Sequence, residues 1–324
     1  MKKTLAMVLA LVLCMASVCV AVAETEAVKT GLHVEISVAG STDGNAKSYN
    51  FLYAVTVDDN GVIDACVIDA IQTSVAFDET GKITTDLTTE FPSKNALGDA
   101  YGMRKASSIS AEWNEQAAAF ASYCVGKTAE EVMGIPSDEN GKAVDADLLS
   151  GATLSITGWQ YGVAAAAAAA EHKGASKGDE LFLPSVTVVS SSKDATAEAN
   201  GNAQAYASYA AITVNGDVVT SCVLDSFQAN VAFDATGKLA SDINAPVLTK
   251  TQLGDAYGMR VASAIGKEWN EQAAFLSEYV TGKPLSEIVS MPLTEKGNPV
   301  DTDVASGCSM KIGGYVKLFA MIAE

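Results

Sequence analysis

The 324-residue chain has only two histidines, His33 and His172, and its six cysteines include no C-x-x-C pair. The first scarcity excludes a multi-histidine metal centre and a separate histidine-dependent triad in each half. The second removes thioredoxin-type and zinc-ribbon chemistry. No G-x-S-x-G elbow, P-loop or EF-hand spacing occurs in the sequence. Bases are scarce as well: 21 Lys+Arg stand against 39 Asp+Glu, a formal charge of −18. Phosphate-backbone recognition needs a basic face, so a nucleic-acid binder is excluded. Acid pairs such as Asp58-Asp59 and Asp145/Asp147 read as solvated surface groups, because their spacing matches no calcium loop or glycosidase pair.

Apolar material is ample. A hydrophobic fraction of 48% supports real cores and excludes a disordered chain. The length suggests two domains of ~150 residues each. Lys2 and Lys3 precede an uncharged stretch from Leu5 to Val22, and Ala21-Val22-Ala23 places small residues at −3 and −1. This pattern predicts a signal peptide over 1–23, cut before Glu24, and a secreted or extracytoplasmic protein. Neither Cys14 nor Cys19 follows the small residue a lipobox needs, so lipidation is not indicated. Loss of Lys2 and Lys3 leaves 21 − 2 = 19 bases against 39 acids, a mature charge of −20. The mature chain keeps Cys66, Cys124, Cys222 and Cys308, of which Cys66 and Cys222 sit in apolar runs as small hydrophobes. A disulfide framework stays open at this level.

Displaced by 156 residues, the sequence falls on itself. Positions 66–153 and 222–309 share 43 identities in 88 without a gap. The densest blocks are LGDAYGMR, at Leu97 and Leu253, and EWNEQAA, at Glu112 and Glu268. A domain-sized period reads as tandem duplication rather than a solenoid. With the polar stretch 172–180 as linker, the two copies are 24–174 and 175–324.

Each copy reads as strands followed by helices, an α+β class with a small antiparallel sheet. Segments 51–57 and 62–68 are strand-like around an Asp59-Asn60-Gly61 turn, and Thr80-Gly81-Lys82 marks a second turn. A helix is predicted over 111–125, capped by Ser110 and ended by Gly126. Thr128 to Glu131 form a capping box for a short helix. A closing helix is predicted over 156–171, its alanine run suited to close packing.

Before that helix stands Asp147-Leu148-Leu149-Ser150-Gly151-Ala152-Thr153. Gly151 and Ala152 allow close backbone approach, and Thr153 sets a hydroxyl where a helix entrance would favour phosphate. The plainer reading is an ordinary Ser/Thr helix cap.

The Asp-x-x-Ser-Gly-Ala-Thr block resembles the flavinylation motif of the FMN-binding domain family, which includes the covalent flavin subunits of sodium-translocating NADH:quinone oxidoreductase and the Rnf complex. The resemblance implies FMN attached by a flavin transferase, through its phosphate, to Thr153, with Asp147, Ser150, Gly151 and Ala152 around it. The second copy keeps Asp303, Ser306 and Gly307 but has Cys308 and Ser309 in place of alanine and threonine, which makes it a weaker acceptor. A flavin ring needs an aromatic or apolar wall. Tyr101 and Trp113, with Met103, Arg104 and Gln116, are the candidates, as are Tyr257, Met259, Arg260, Trp269 and Gln272 in the second copy; Trp159 and Tyr315 lie on the closing helices. Core burial is the competing role for each aromatic.

The resulting expectation is an exported flavoprotein electron carrier, holding covalent FMN and meeting a membrane or extracellular redox partner, with no metal and no catalytic residue of its own. The alternative is a secreted or surface binding module that keeps the fold without flavin.

Overall fold

The computed structural model describes residues 26–323. The signal peptide expected over 1–23 lies outside them. The fold is α+β with antiparallel sheets. Four strands, β1 (Ala27–Ser37), β2 (Asn45–Val57), β3 (Ile63–Ala76) and β4 (Glu171–Ser176), form one sheet in the order β3-β2-β1-β4. A second sheet holds β5 (Glu180–Phe182), β6 (Ser185–Val188), β7 (Gly201–Asn215) and β8 (Val218–Phe233). There β5 and β6 lie end to end along β7, meeting it at Phe182↔Ile212 and Ser185↔Tyr209. Pro184 sits at the break, where a residue without an N–H cannot continue a ladder.

The helices follow the hairpins. After β3 come α1 (Lys94–Leu97), α2 (Trp113–Cys124), α3 (Ala129–Met133), α4 (Ala146–Gly151) and α5 (Thr157–Ala168). After β8 come α6 (Lys250–Leu253), α7 (Trp269–Val280), α8 (Leu285–Val289), α9 (Thr302–Gly307) and α10 (Gly313–Ala323), in the same order and with the same or nearly the same lengths.

Strand alternation decides how the layers stack. On β2, Leu52 and Ala54 point one way and Tyr53 and Val55 the other. Leu52, Ala54, Ile71, Val75 and Phe77 meet Tyr209, Phe227, Val231 and Phe233 of the second sheet in one shared core. Tyr53, Val55 and Ile68 instead pack against Trp113, Phe120 and Trp159, while Ile212 and Leu224 pack against Trp269, Leu276 and Phe319. The molecule is therefore four layers deep: helices, sheet, sheet, helices. Both central strands are buried on two faces, which is why their sequences read as nearly continuous apolar runs. Reciprocal bonds tie the sheets at one end, with Leu239 N–H donating to Asp43 Oδ1 at 2.9 Å and Ile83 N–H to Asp194 Oδ1 at 2.8 Å. In the interior Thr30 Oγ1 lies 2.6 Å from Ser221 Oγ, joining β1 to β8.

Several sequence expectations are corrected. The stretch 172–180 is no linker: β4 pairs with β1 through Lys29↔His172 and Ala27↔Ser176, so a boundary at 174/175 would cut a strand. The hairpin strands are longer than 51–57 and 62–68 because the shared core extends past the apolar run. The cap of α2 is Glu112, in a reciprocal box with Glu115, and not Ser110, whose φ of 54° puts it in the left-handed region. The closing helix stops at Ala168 because β4 begins at Glu171. The Asp59-Asn60-Gly61 turn and the Thr128 capping box form as expected, the turn held by Asp58 Oδ1 accepting from Asn60 and Val62 N–H at 2.8 Å. The alanine run does serve close packing, since Gly31 on β1 lies directly beneath Ala166 of α5.

Candidate functional site

The motif occupies α4 and the loop that follows it. Asp145 caps α4, accepting from Asp147 and Leu148 N–H at 3.0 Å. Asp147 lies exposed in its first turn, and Ser150 Oγ donates to the Asp147 carbonyl at 2.7 Å. Gly151 ends the helix against α2, where an added Cβ would come within 2.8 Å of the Ala119 Cβ. Its small size thus serves helix packing rather than approach to a ligand. Ala152 is fully buried.

Thr153 follows, four residues ahead of α5, so it neither caps that helix nor uses its dipole. Its position is set by Gln116. This fully buried side chain accepts at Oε1 from Thr153 N–H at 2.9 Å and Thr153 Oγ1 at 3.2 Å. Its Nε2 donates to Ser107 Oγ at 3.1 Å and the Ala111 carbonyl at 3.2 Å. All four of its hydrogen-bonding arms are engaged, which fixes the rotamer.

A groove of about 520 Å³ opens at this point. Thr153, Gln116, Ser107, Ser108 and Ser155 give it hydroxyl and amide groups; Met103, Ala106 and Leu154 give it apolar wall; Lys142 and Asn140 stand on its rim. Lys142 is exposed and makes no ion pair among the described residues. The hydroxyls and one free cation suit an anionic group beside Thr153 Oγ1.

From the blocks shared by both halves, Met103 and Gln116 line this groove, and the other block residues brace them from behind. The buried Glu112 carboxylate accepts from Met103 and Arg104 N–H, both at 2.8 Å. Arg104 pairs with Asp99 at 2.7 Å and Glu115 at 3.0 Å and donates to the Ser110 carbonyl at 2.8 Å. Glu268, Arg260, Asp255 and Glu271 repeat the arrangement in the second half. LGDAYGMR and EWNEQAA are therefore two sides of one clasp.

Tyr101 and Trp113 do not line the groove. Both rings instead face Lys94, whose Nζ lies 4.4 Å and 4.9 Å from their centroids and 4.7 Å from that of Tyr49, while donating to Tyr49 Oη at 2.8 Å. Trp113 also meets Trp159 edge-on at 5.8 Å, a core contact. Lys250 repeats the cage with Tyr206, Tyr257 and Trp269. Burial pushes the Lys94 ammonium down to about 8, opposed by the Asp69 charge. Burial pushes the Asp69 carboxyl up to about 6, against donors from Ser93, Asn95 and Ala70. The caged lysine escaped sequence reading. The signal that could have found it is its recurrence at 94 and 250, three residues before each LGDAYGMR block.

At the second motif, Ser309 N–H and Oγ reach Gln272 Oε1 at 2.8 Å and 3.3 Å. Asp303 and Ser306 keep their places, with Ser306 Oγ donating to the Asp303 carbonyl at 2.8 Å. Cys308 is fully buried where Ala152 stood, and Gly307 lies under the Phe275 ring, which replaces Ala119. Asn298, in place of Lys142, donates through Nδ2 to the Ser309 carbonyl at 2.8 Å. No cluster of His, Cys, Asp or Glu suited to a metal ion occurs among the described residues.

No known family model matches the chain, and no solved structure matches it. A stretch of 40 residues is 50% identical to part of a chlorophenol reductase from Desulfitobacterium hafniense. That likeness covers 12% of this chain and 12% of the reductase, and it extends to neither protein as a whole.

Proposed function

We propose that the protein is an exported electron carrier, built as two tandem copies of an FMN-binding-type unit, with FMN joined through its phosphate to Thr153. One observation carries the reading: the Thr153 hydroxyl lies on a groove of about 520 Å³ whose rim offers the unpaired cation of Lys142. Bound there, FMN would supply the redox chemistry. The chain's own residues have defined tasks. Gln116 Oε1 would position the free Thr153 hydroxyl before attachment and keep the Thr153 N–H bond afterwards, Lys142 would offset the phosphate charge, and Ser107, Ser108 and Ser155 would offer hydroxyls to it. Met103, Ala106 and Leu154 provide apolar wall in the place foreseen for Tyr101 and Trp113. A flavin transferase would make the attachment, and a membrane or extracellular redox partner would exchange electrons. The short likeness to a chlorophenol reductase is in keeping with redox work and carries no more than that.

The second half favours the other reading for itself, a fold kept without flavin. Asn298 there bonds the Ser309 carbonyl where the first half presents a free lysine. Intact mass of the mature protein, coexpressed with a flavin transferase, tests both readings. The expected result is one adduct of FMN less water, absent from Thr153→Ala and retained in Ser309→Ala. A colourless protein of unmodified mass overturns the flavoprotein reading.

A further inference from the structure

Lys94 is 3% exposed, and among the described residues its ammonium finds a single hydrogen-bond acceptor, Tyr49 Oη at 2.8 Å. It forms no ion pair among those residues. Its other N–H groups meet ring faces, with the centroid of Tyr101 at 4.4 Å and that of Trp113 at 4.9 Å. Ring faces attract a cation but repay only part of the hydration it gives up. The caged charge is therefore under-compensated, in accord with the fall of this ammonium to about 8 through burial, against which the Asp69 charge acts.

One wall of the cage is built to move. Trp113 is buried on α2, whereas Tyr101 ends a single turn, Gly98–Tyr101, in which no residue is buried. A glycine with positive φ stands at each end, Gly98 at 48° and Gly102 at 79°, and a Cβ on either would meet nothing within 4 Å. Such glycines change conformation at little steric cost. Beyond them the chain is fixed, since Leu97 N–H donates to the Ser93 carbonyl at 2.9 Å and Met103 N–H to Glu112 at 2.8 Å. Between them, Tyr101 Oη reaches Gln72 Oε1 only at 3.5 Å, and the Asp99–Arg104 pair lies at the surface, where such pairs contribute little. The seat of the turn is thus the Tyr101 ring on Lys94.

We propose that Gly98–Gly102 is a lid over the Lys94 cage, loosened when Lys94 takes a proton and sealed when it gives that proton up to water. Raising the lid admits water to the ammonium, so the open state holds the proton more tightly than the closed one. By linkage, opening falls as pH rises through 8 and levels off below it. The other groups facing Lys94 do not share this range. Burial raises the Asp69 carboxyl on β3 to about 6, and it also raises the phenols of Tyr49 on β2 and Tyr101 on the lid. Glu112, at the cap of α2, is engaged by Met103 and Arg104 N–H. The proposal is independent of the flavin reading.

Deuterium exchange of the amides from Gly98 to Gly102 in the mature protein, divided by the chemical exchange rate at each pH, measures the opening. The parent is expected to open about tenfold less at pH 9 than at pH 7, given a solvated lysine value of about 10.4. Lys94→Met, of similar length and uncharged, should open at both pH values no more than the parent does at pH 9. Asp69→Asn removes the charge that supports the ammonium and should move the fall to lower pH, which keeps the test in force if Lys94→Met does not fold. Opening that is the same at pH 7 and pH 9 in the parent, a pH dependence that survives in Lys94→Met, or a fall unmoved in Asp69→Asn overturns the proposal.

Discussion

Phe77 and Phe233 stack face on face in the shared core, their ring centroids 3.9 Å apart and their planes 9° from parallel. They are 156 residues apart and hold equivalent places in the sequence repeat, so each half contributes the same side chain to the one contact. Phe77→Ala is expected to cost ~3–5 kcal/mol, the range for a buried phenylalanine. The double variant with Phe233→Ala should cost less than the sum, because both singles remove the same contact. Urea unfolding followed by fluorescence measures this, and strict additivity would show that the two rings do not rely on each other.

Gly31 offers a sharper test of layer packing. A Cβ at this position would run into the Ala166 carbonyl oxygen and stand 3.1 Å from the Ala170 Cβ. Gly31→Ala should therefore lose ~1–3 kcal/mol through overpacking against α5. Gly40→Ala is the control, since its Cβ would meet only the Lys47 Cβ at an ordinary 3.9 Å. The control should leave the thermal midpoint unchanged or slightly raised.

Gln116 connects stability to the candidate site. Gln116→Ala removes the acceptor of Thr153 N–H and Oγ1 and the donor to Ser107 and Ala111. A loss of ~1–3 kcal/mol is expected for each buried group left unpaired. If Thr153 is the flavin acceptor, the time course of adduct formation should slow in Gln116→Ala and be abolished in Thr153→Ala. Equal adduct rates in Gln116→Ala and the parent would deny Gln116 its positioning role.

Asp69 imposes a pH dependence of definite sign. Its folded carboxyl is raised to about 6 by burial, so between roughly pH 4 and 6 the folded state holds a proton that the unfolded state has released. Stability from this group is present below the unfolded value and is lost as pH rises through 6. Asp69→Asn should flatten that decline, a difference of at most about 3 kcal/mol between pH 4 and pH 7. Denaturation midpoints across this range provide the measurement, and parallel curves for parent and variant would refute the assignment.

Among the described residues, Cys66, Cys124, Cys222 and Cys308 are free thiols. Burial pushes Cys124 and Cys222 up to about 12 and Cys308 up to about 11, and raises Cys66 as well. A thiol-disulfide reagent at pH 8 should therefore react slowly with the native protein and promptly with all four in denaturant. Four prompt equivalents without denaturant would contradict the burial.

Much of the local structure was legible because it rests on local chemistry. The Asp-Asn-Gly turn and the Thr128–Glu131 box are decided within a few residues. The length of β3 was not legible, since Val75 and Phe77 are held by a sheet more than a hundred residues distant. For the same reason 172–180 read as a polar linker, although β1 supplies it with a strand partner. At the candidate site the sequence singled out Thr153 but not its environment. Helix-entrance reasoning placed it at the start of α5, whereas a long-range bond to Gln116 fixes it in the preceding loop. Tyr101 and Trp113 were attractive as ring walls, and the structure turns them toward Lys94, whose burial no local pattern announces.

The back-to-back sheets have one more consequence. Thr153 and Ser309 belong to the two outer helical layers, with both sheets between them. Stacked sheets are ~10 Å apart before either helical layer is counted. The molecule thus turns the Thr153 groove and the Ser309 hydroxyl to opposite horizons: a visitor seated at the first cannot touch the second.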